Sequence, residues 1–347
     1  MLLALEIVGG IIVFSLLIII HELGHFWTAK SFNIKVNEFA VGMGPALWKK
    51  QKGETLYAVR CVPMGGYCKM EGEDESSPEP RAFGNAKAWK RIVVLAAGGI
   101  MNLIAGLLLC FVLLATTHNI AVPTVGSFSD NSPLEAAGLQ VGDQIISIDG
   151  KIVHTTQDVQ ITTQLSQNQK KIVYMHDGVR QTAYVTPVLN EDSGTYMLGF
   201  TSGYVQNSFV NTIKYGWYQF ASFSEQIIST LVRLVTGHLN ISQLSGPVGI
   251  AGVIGGAVGG VVTQSGGTGW WFLAYVFILI TINLGIFNLI PFPALDGGRI
   301  FFVLVELVRR KPIKAEYEGV VHVIGFAALI GLIIVVTGFD IFRLFPS

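Results

Sequence analysis

His21, Glu22 and His25 stand at a spacing that suits metal-assisted hydrolysis. The run His21-Glu22-Leu23-Gly24-His25 is an H-E-x-x-H pattern. On a helix it sets two imidazoles four residues apart on one face, where they can share one Zn²⁺, and sets the glutamate between them as a general base. The fourteen residues before it, 7–20, carry no charge. An ionisable group at the centre of a bilayer costs about 2.5–3.5 kcal/mol on insertion scales, so a chain rarely keeps such groups there without a use. The pattern points to a metalloenzyme working inside the membrane; a plain interfacial histidine is the alternative.

Two histidines leave a catalytic zinc one protein ligand short. The stretch Asn288-Leu-Ile-Pro291-Phe-Pro293-Ala-Leu-Asp296-Gly297-Gly298-Arg299 closes another apolar segment. Its prolines end the helix, since each lacks an N–H donor and restricts the residue before it. The paired glycines are expected to turn the backbone sharply and present Asp296 on an irregular segment at membrane depth. Such backbone is tolerated only where protein buries it or a watery cavity accepts it. His21 lies roughly 21 Å along its helix into a core about 30 Å thick. Asp296 lies near the cytosolic end of a span running the same way, so the two are expected to meet toward the cytosolic face. His322 reads as a packing or interfacial histidine, because a fourth protein ligand would close the site.

The elements that must position these residues are membrane helices. The 347 residues are 51% hydrophobic and 13% charged, with a mean hydropathy of +0.53, the composition of a polytopic membrane protein. Segments 4–26, 92–115, 270–291 and 320–340 each suffice for a crossing of about 20 helical residues. Segment 244–262 is uncharged, but seven of its residues are glycine; it reads as a packed loop or short surface helix, with a fifth span as the minority view. Lys and Arg number eleven in residues 27–91, five in 292–319, six in the long region 116–269 and one in the tail. Positive loops stay in the cytosol. The N-terminus, the large middle domain and the C-terminus are therefore expected outside, with the active site toward the cytosol. The first apolar stretch lacks a basic start and an A-x-A-like cleavage site, so it is expected to be retained. A net charge of zero gives no case for nucleic acid. Cys61, Cys68 and Cys110 imply no disulfide framework and read as structural.

Between the spans, Leu56-Tyr-Ala-Val-Arg-Cys-Val62 alternates like a strand, Pro63-Met-Gly-Gly66 reads as a turn and Tyr67-Cys-Lys-Met70 as a returning strand. This hairpin is either a plain surface feature or an edge beside the site that pairs with an unfolded substrate through Gly65, Gly66 and Tyr67. Residues 71–80 read as an acidic flexible loop. Asn102 interrupts an apolar span; its amide either bonds a neighbouring helix or, secondarily, serves the site and its substrate. Residues 121–200 read as a separate β-rich domain, and 207–243 as an amphipathic interfacial helix. The run Gly138-Leu-Gln-Val-Gly142-Asp143-Gln-Ile-Ile-Ser-Ile-Asp149-Gly150 resembles the signature of bacterial PDZ domains, which bind an extended peptide or chain end by adding a strand. A PDZ fold acting only as a steric filter is the alternative.

The HELGH run, together with Asn288-x-x-Pro291-x-Pro293-x-x-Asp296-Gly297, resembles the site-2 protease family of intramembrane zinc metalloproteases. The branch it is most similar to is the bacterial regulator-of-sigma-E and RasP type with a PDZ domain between spans two and three. Gly42-Met-Gly-Pro45, the Pro63–Met70 segment and Ser245-Gly-Pro-Val-Gly-Ile250 carry the same resemblance. Where the family often shows A-G-P-x-x-N, this chain has Gly99 in place of proline, before Asn102. The resemblance implies one zinc per chain on His21, His25 and Asp296, Glu22 as base, and Asn288 on the substrate backbone or oxyanion. It implies single-span membrane proteins, such as anti-sigma factors or remnant signal peptides, as substrates in the bacterial cytoplasmic membrane. The expected fold is four transmembrane helices, a membrane-associated β-hairpin and one extracytoplasmic PDZ domain. Its divisions fall at 1–120 (spans one and two), 121–200 (PDZ), 201–269 (linker) and 270–347 (spans three and four). A non-proteolytic scaffold on a degenerate core and a zinc transporter are the rival readings.

Overall fold

Among the described residues of the computed structural model, four helices are long and apolar enough to cross a membrane: Val8–Ser31, Ala88–Ala115, Gly269–Leu289 and Tyr317–Arg343. The structure describes residues 2–73, 75–164, 166–190, 194–237, 244, 246–263, 268–311, 313 and 315–344. In chain order the elements are α1 (Leu2–Ser31), β1 (Val36–Lys52), β2 (Thr55–Met70), α2 (Ala88–Ala115), β3 (Asn119–Phe128), α3 (Pro133–Ala136), β4 (Gln144–Ile148), β5 (Lys151–Ile152), α4 (Thr156–Thr163), β6 (Lys170–His176), β7 (Val179–Val185), β8 (Val188–Asn190), β9 (Thr195–Met197), β10 (Phe200–Gln206), α5 (Phe209–Val235), α6 (Pro247–Thr263), α7 (Thr268–Leu289), α8 (Asp296–Arg309) and α9 (Ala315–Leu344). They group into two units, Met1–Gly106 with Thr230–Ser347, and Leu107–Ser229.

In the first unit the helices meet through small residues. A side chain on Gly24 of α1 would run into the Ala97 carbonyl of α2, and a Cβ on either Gly99 of α2 or Gly285 of α7 would lie 2.9 Å from the other's carbonyl oxygen. Without water to drive helices together, close backbone approach is what holds such a bundle. Segment 247–263 is a helix, one of the two forms expected for it. Its Ile254 and Ala257 are buried, packed with Val276 of α7 and Val13 of α1. Close approach comes from the α1 side, where a Cβ on Gly9 would lie 2.8 Å from Val258. Ser245 of the predicted Ser245–Ile250 motif lies outside the described residues.

β1 and β2 are antiparallel partners joined by a tight turn at Gly53 and Glu54. The ribbon doubles on itself: Phe39 stands opposite Cys68 on one side and Tyr57 on the other. The predicted arms 56–62 and 67–70 therefore do not pair with each other but flank residues 36–41. Pro63–Gly66 is a bend in β2, not a hairpin turn. Gly42, Gly44 and Pro45 interrupt the alternation of β1, which hid this strand from periodicity.

The second unit holds a six-stranded sheet in the order β10-β3-β4-β6-β7 with β5 on β4, and a separate β8–β9 ribbon. Val125, Leu134, Ile145, Ile148, Ile172 and Val185 build its core. The glycine-rich motif is a set of turns: Gly138, Gly142 and Gly150 have φ of 91°, 99° and 83°, a region closed to most side chains. Asp143 is buried, accepts the Gln140 amide at 2.8 Å and takes His176 Nδ1 at 2.7 Å. The amphipathic helix of 207–243 is α5, whose Phe209, Ile213 and Trp217 are exposed; residues 238–243 lie outside the described residues.

Candidate active site

His21 and His25 are both buried in α1, and their Nε2 atoms stand 3.2 Å apart. Asp296 Oδ2 lies 3.1 Å from the first and 3.3 Å from the second. Tetrahedral zinc with bonds of about 2.0–2.1 Å holds its ligand atoms about 3.3–3.4 Å apart, so three donors converge here at the separation one ion needs. Asp296 Oδ2 is also buried with no hydrogen-bond partner, a cost of about 1–3 kcal/mol that a cation would remove. The donor set, two imidazoles and one carboxylate with a position left open, suits catalytic zinc.

Helix α2 backs the two imidazoles. His25 Nδ1 is 2.9 Å from the Val94 carbonyl oxygen, which can only accept. Nδ1 therefore carries the proton, and the Nε2 lone pair faces the other donors. One turn on, a Cβ at Gly98 would fall on His25 Nε2 and within 2.6 Å of His21 Cε1. Asn102, a further turn on, is fully buried, with its Nδ2 3.5 Å from His21 Nδ1. Its amide was expected to bond a neighbouring helix or, secondarily, to serve the site and its substrate; its polar neighbour is His21 of α1, and it is not among the residues lining the cavity that opens on His21 and His25.

The other side of the site is set by the turn between α7 and α8. Helix α7 stops at Leu289, two residues before Pro291, as proline geometry requires. The backbone reversal falls on Ala294, with φ 79°, and not on the glycines. Ala294 donates its N–H to His322 Nδ1 at 2.9 Å, so His322 serves the turn that carries Asp296. Asp296 is not on an irregular segment but in the first turn of α8, where a carboxylate is favoured by the helix dipole. Gly297 and Gly298 are helical and allow close approach. Side chains there would collide with the Ile290 and Phe292 carbonyls.

A cavity of about 550 Å³ opens on these groups, lined by His21, Glu22, His25, Tyr67, Cys68, Arg299 and neighbours. Strand β2 thus forms one wall. A Cβ on Gly66 would lie 3.7 Å from Glu22 Cγ, while Gly65 packs toward Met43. Burial pushes the Cys68 thiol well up, helped by the Glu22 and Glu73 carboxylates, and its sulfur is not in the group of converging donors. Burial and then Glu38 raise Tyr67. Asn288 is half-buried, turned back to donate to the Leu284 carbonyl of its own helix at 3.0 Å, and is not among the lining residues. Sequence reasoning missed Arg299, which pairs with Glu73 at 2.6 Å across the cavity wall, and Gly98, whose place beside Gly99 in a span was a visible sign of close packing.

The model of Peptidase family M50 matches residues 9–332. A chain of Clostridium perfringens, provisionally named a zinc metalloprotease, is 38% identical over 343 residues, covering 98% of this chain and 99% of its own. The zinc metalloprotease RasP of Bacillus licheniformis is 31% identical, with 98% and 99% covered. The regulator of sigma-W protease RasP of Bacillus subtilis is 29% identical with the same coverage. Among solved structures, the PDZ domain of an SdrC-like protein from Listeria monocytogenes is 27% identical, covering 24% of this chain and 86% of its own, with a TM-score of 0.21.

Proposed function

The chain belongs to peptidase family M50, the site-2 protease family of zinc metalloproteases, and from that premise we propose that it hydrolyses single-span membrane proteins within or near their membrane segment, using His21, His25 and Asp296 as zinc ligands and Glu22 as base. The observation that carries the residue assignment is the convergence of three donor atoms at 3.1–3.3 Å in a cavity that Glu22 also lines. When bound, zinc supplies a Lewis acid and lowers the pKa of water.

The chain's own residues do the rest. Glu22 takes the proton of the attacking water and later returns it to the leaving amine. A membrane helix has its amides paired internally, so the target must unwind locally before its carbonyl is open to attack. The β2 segment with Gly66 and Tyr67 receives the unwound stretch as an added strand. Asn288 steadies the substrate backbone or the oxyanion once its amide leaves Leu284. The β-rich domain acts as a PDZ module that takes an extended peptide or chain end. The Lys and Arg distribution supports its location outside the cytoplasmic membrane, on the same side as both termini. The Bacillus subtilis relative is named for regulation of sigma-W; anti-sigma factors, and remnant signal peptides alongside them, are the substrate classes we assign by that likeness.

The test is cleavage of a tagged single-span substrate by the purified full chain in detergent, wild type beside Glu22→Gln, with zinc quantified in both. The expected result is a loss of at least about 10²-fold in rate with zinc retained. Unchanged cleavage by the variant would remove Glu22 from the mechanism.

A further inference from the structure

The two zinc-facing imidazoles are backed by one face of α2, since Val94, Gly98 and Asn102 recur at four-residue intervals. For His25 the backing group settles the protonation pattern: the Val94 carbonyl accepts from Nδ1 at 2.9 Å, so Nε2 is free to ligate. His21 also turns its Nε2 toward Asp296 and must likewise keep the proton on Nδ1. Yet the group facing that Nδ1 is the Asn102 NH₂, at 3.5 Å. Two donors would then point at each other. Meanwhile Asn102 Oδ1 is buried with no hydrogen-bond partner, on a side chain with no exposed surface. The two ends of a carboxamide have the same shape, and which is oxygen follows from the hydrogen bonds around it. Turning the amide end for end separates the two donors and gives the oxygen the His21 Nδ1–H to accept.

We propose that Asn102 is a positioning residue for His21: its Oδ1 accepts the Nδ1–H and directs the Nε2 lone pair to the metal. The inference rests on the zinc reading of the site. It places Asn102 behind the ligand and assigns it no contact with substrate. Outer partners of this kind are worth about 10–100-fold in metal affinity.

The experiment measures zinc affinity by chelator competition on the purified full chain for wild type, Asn102→Leu and Asn102→Asp. It also reads the imidazole ¹⁵N shifts of the wild-type protein, with His21 assigned by loss of its signal in His21→Gln. Asn102→Leu keeps the bulk without an acceptor and should bind zinc about 10–100-fold more weakly. Asn102→Asp restores an acceptor and should recover most of that loss. The wild-type His21 ring should carry its proton on Nδ1. Zinc affinity unchanged in Asn102→Leu, or lost equally in Asn102→Asp, would overturn the proposal. So would a proton on Nε2 of His21, a result that needs no variant at Asn102 to fold. A wild-type chain that binds no zinc would overturn the zinc reading as well, whereas zinc-binding variants indistinguishable from wild type would remove only the role of Asn102.

Discussion

At Gly98 only a hydrogen atom separates helix α2 from the imidazoles of His21 and His25. A methyl group there would occupy the space of His25 Nε2 and crowd His21. The rings cannot retreat, because α1 is already pressed on α2 at Gly24 and Ala97. Gly98→Ala should therefore lower zinc affinity by at least about 10-fold, measured as zinc per chain after dialysis against a weak chelator. Gly331→Ala is the control: nothing lies within 4 Å of its added carbon, and zinc should be unchanged. Equal zinc retention by both variants would contradict the close packing at Gly98. At this scale the sequence was most legible. H-E-x-x-H needs only the periodicity of one helix to bring His21, Glu22 and His25 together. The meeting of Asp296 with His21 was also expected from the sequence and is present, but the setting of Asp296 was not readable: the positive φ falls on Ala294, where no residue preference announces it.

Among the elements, β2 and the β-rich sheet carry what periodicity could and could not reveal. The arms of the predicted hairpin exist as extended chain, yet each takes its partner from residues 36–41, a pairing that depends on register across the ribbon. In the sheet, β6 ends at His176, whose ring bonds Asp143 at 2.7 Å. That bond, with the nearby Asp177 charge adding to it, raises the His176 pKa above its ordinary value. The stabilisation is then fully present below the unfolded pKa of about 6.5 and is lost as pH rises through the raised folded value. Amides of β6 and β7 should accordingly show less protection at pH 9 than at pH 6, once intrinsic exchange rates are corrected. His176→Gln should abolish that difference. Protection independent of pH in the wild type would mean the pair contributes nothing to folding.

For the whole molecule, sidedness is the property that matters most, and the proposed orientation rests on charge distribution rather than on packing. Cys61 is exposed, whereas Cys68 and Cys110 are buried, so the native chain carries its own reporter on β2. An impermeant thiol reagent should spare Cys61 in intact cells and label it in inverted membranes. Thr182→Cys, on an exposed position of β7, placed in a Cys61→Ser chain, should show the opposite pattern. The reverse outcome at both sites would invert the orientation, and labelling of both from one face would refute the separation of the two regions.

The sequence by itself determined the chemistry and the number of apolar helices available to cross a membrane. A metal motif, a proline-terminated span and uninterrupted apolar runs are local properties, readable without knowing what packs against what. Only the tertiary structure decided which groups stand behind the two histidines and which line the cavity. Val94, Gly98 and Asn102 matter through contacts across two helices, and His322 through its bond to a distant turn. Such relations join residues tens of positions apart, and no pattern of residue types along the chain encodes them directly. Asn288 is the local case: its amide bonds a carbonyl of its own helix, a choice of side-chain conformation that the sequence does not announce either.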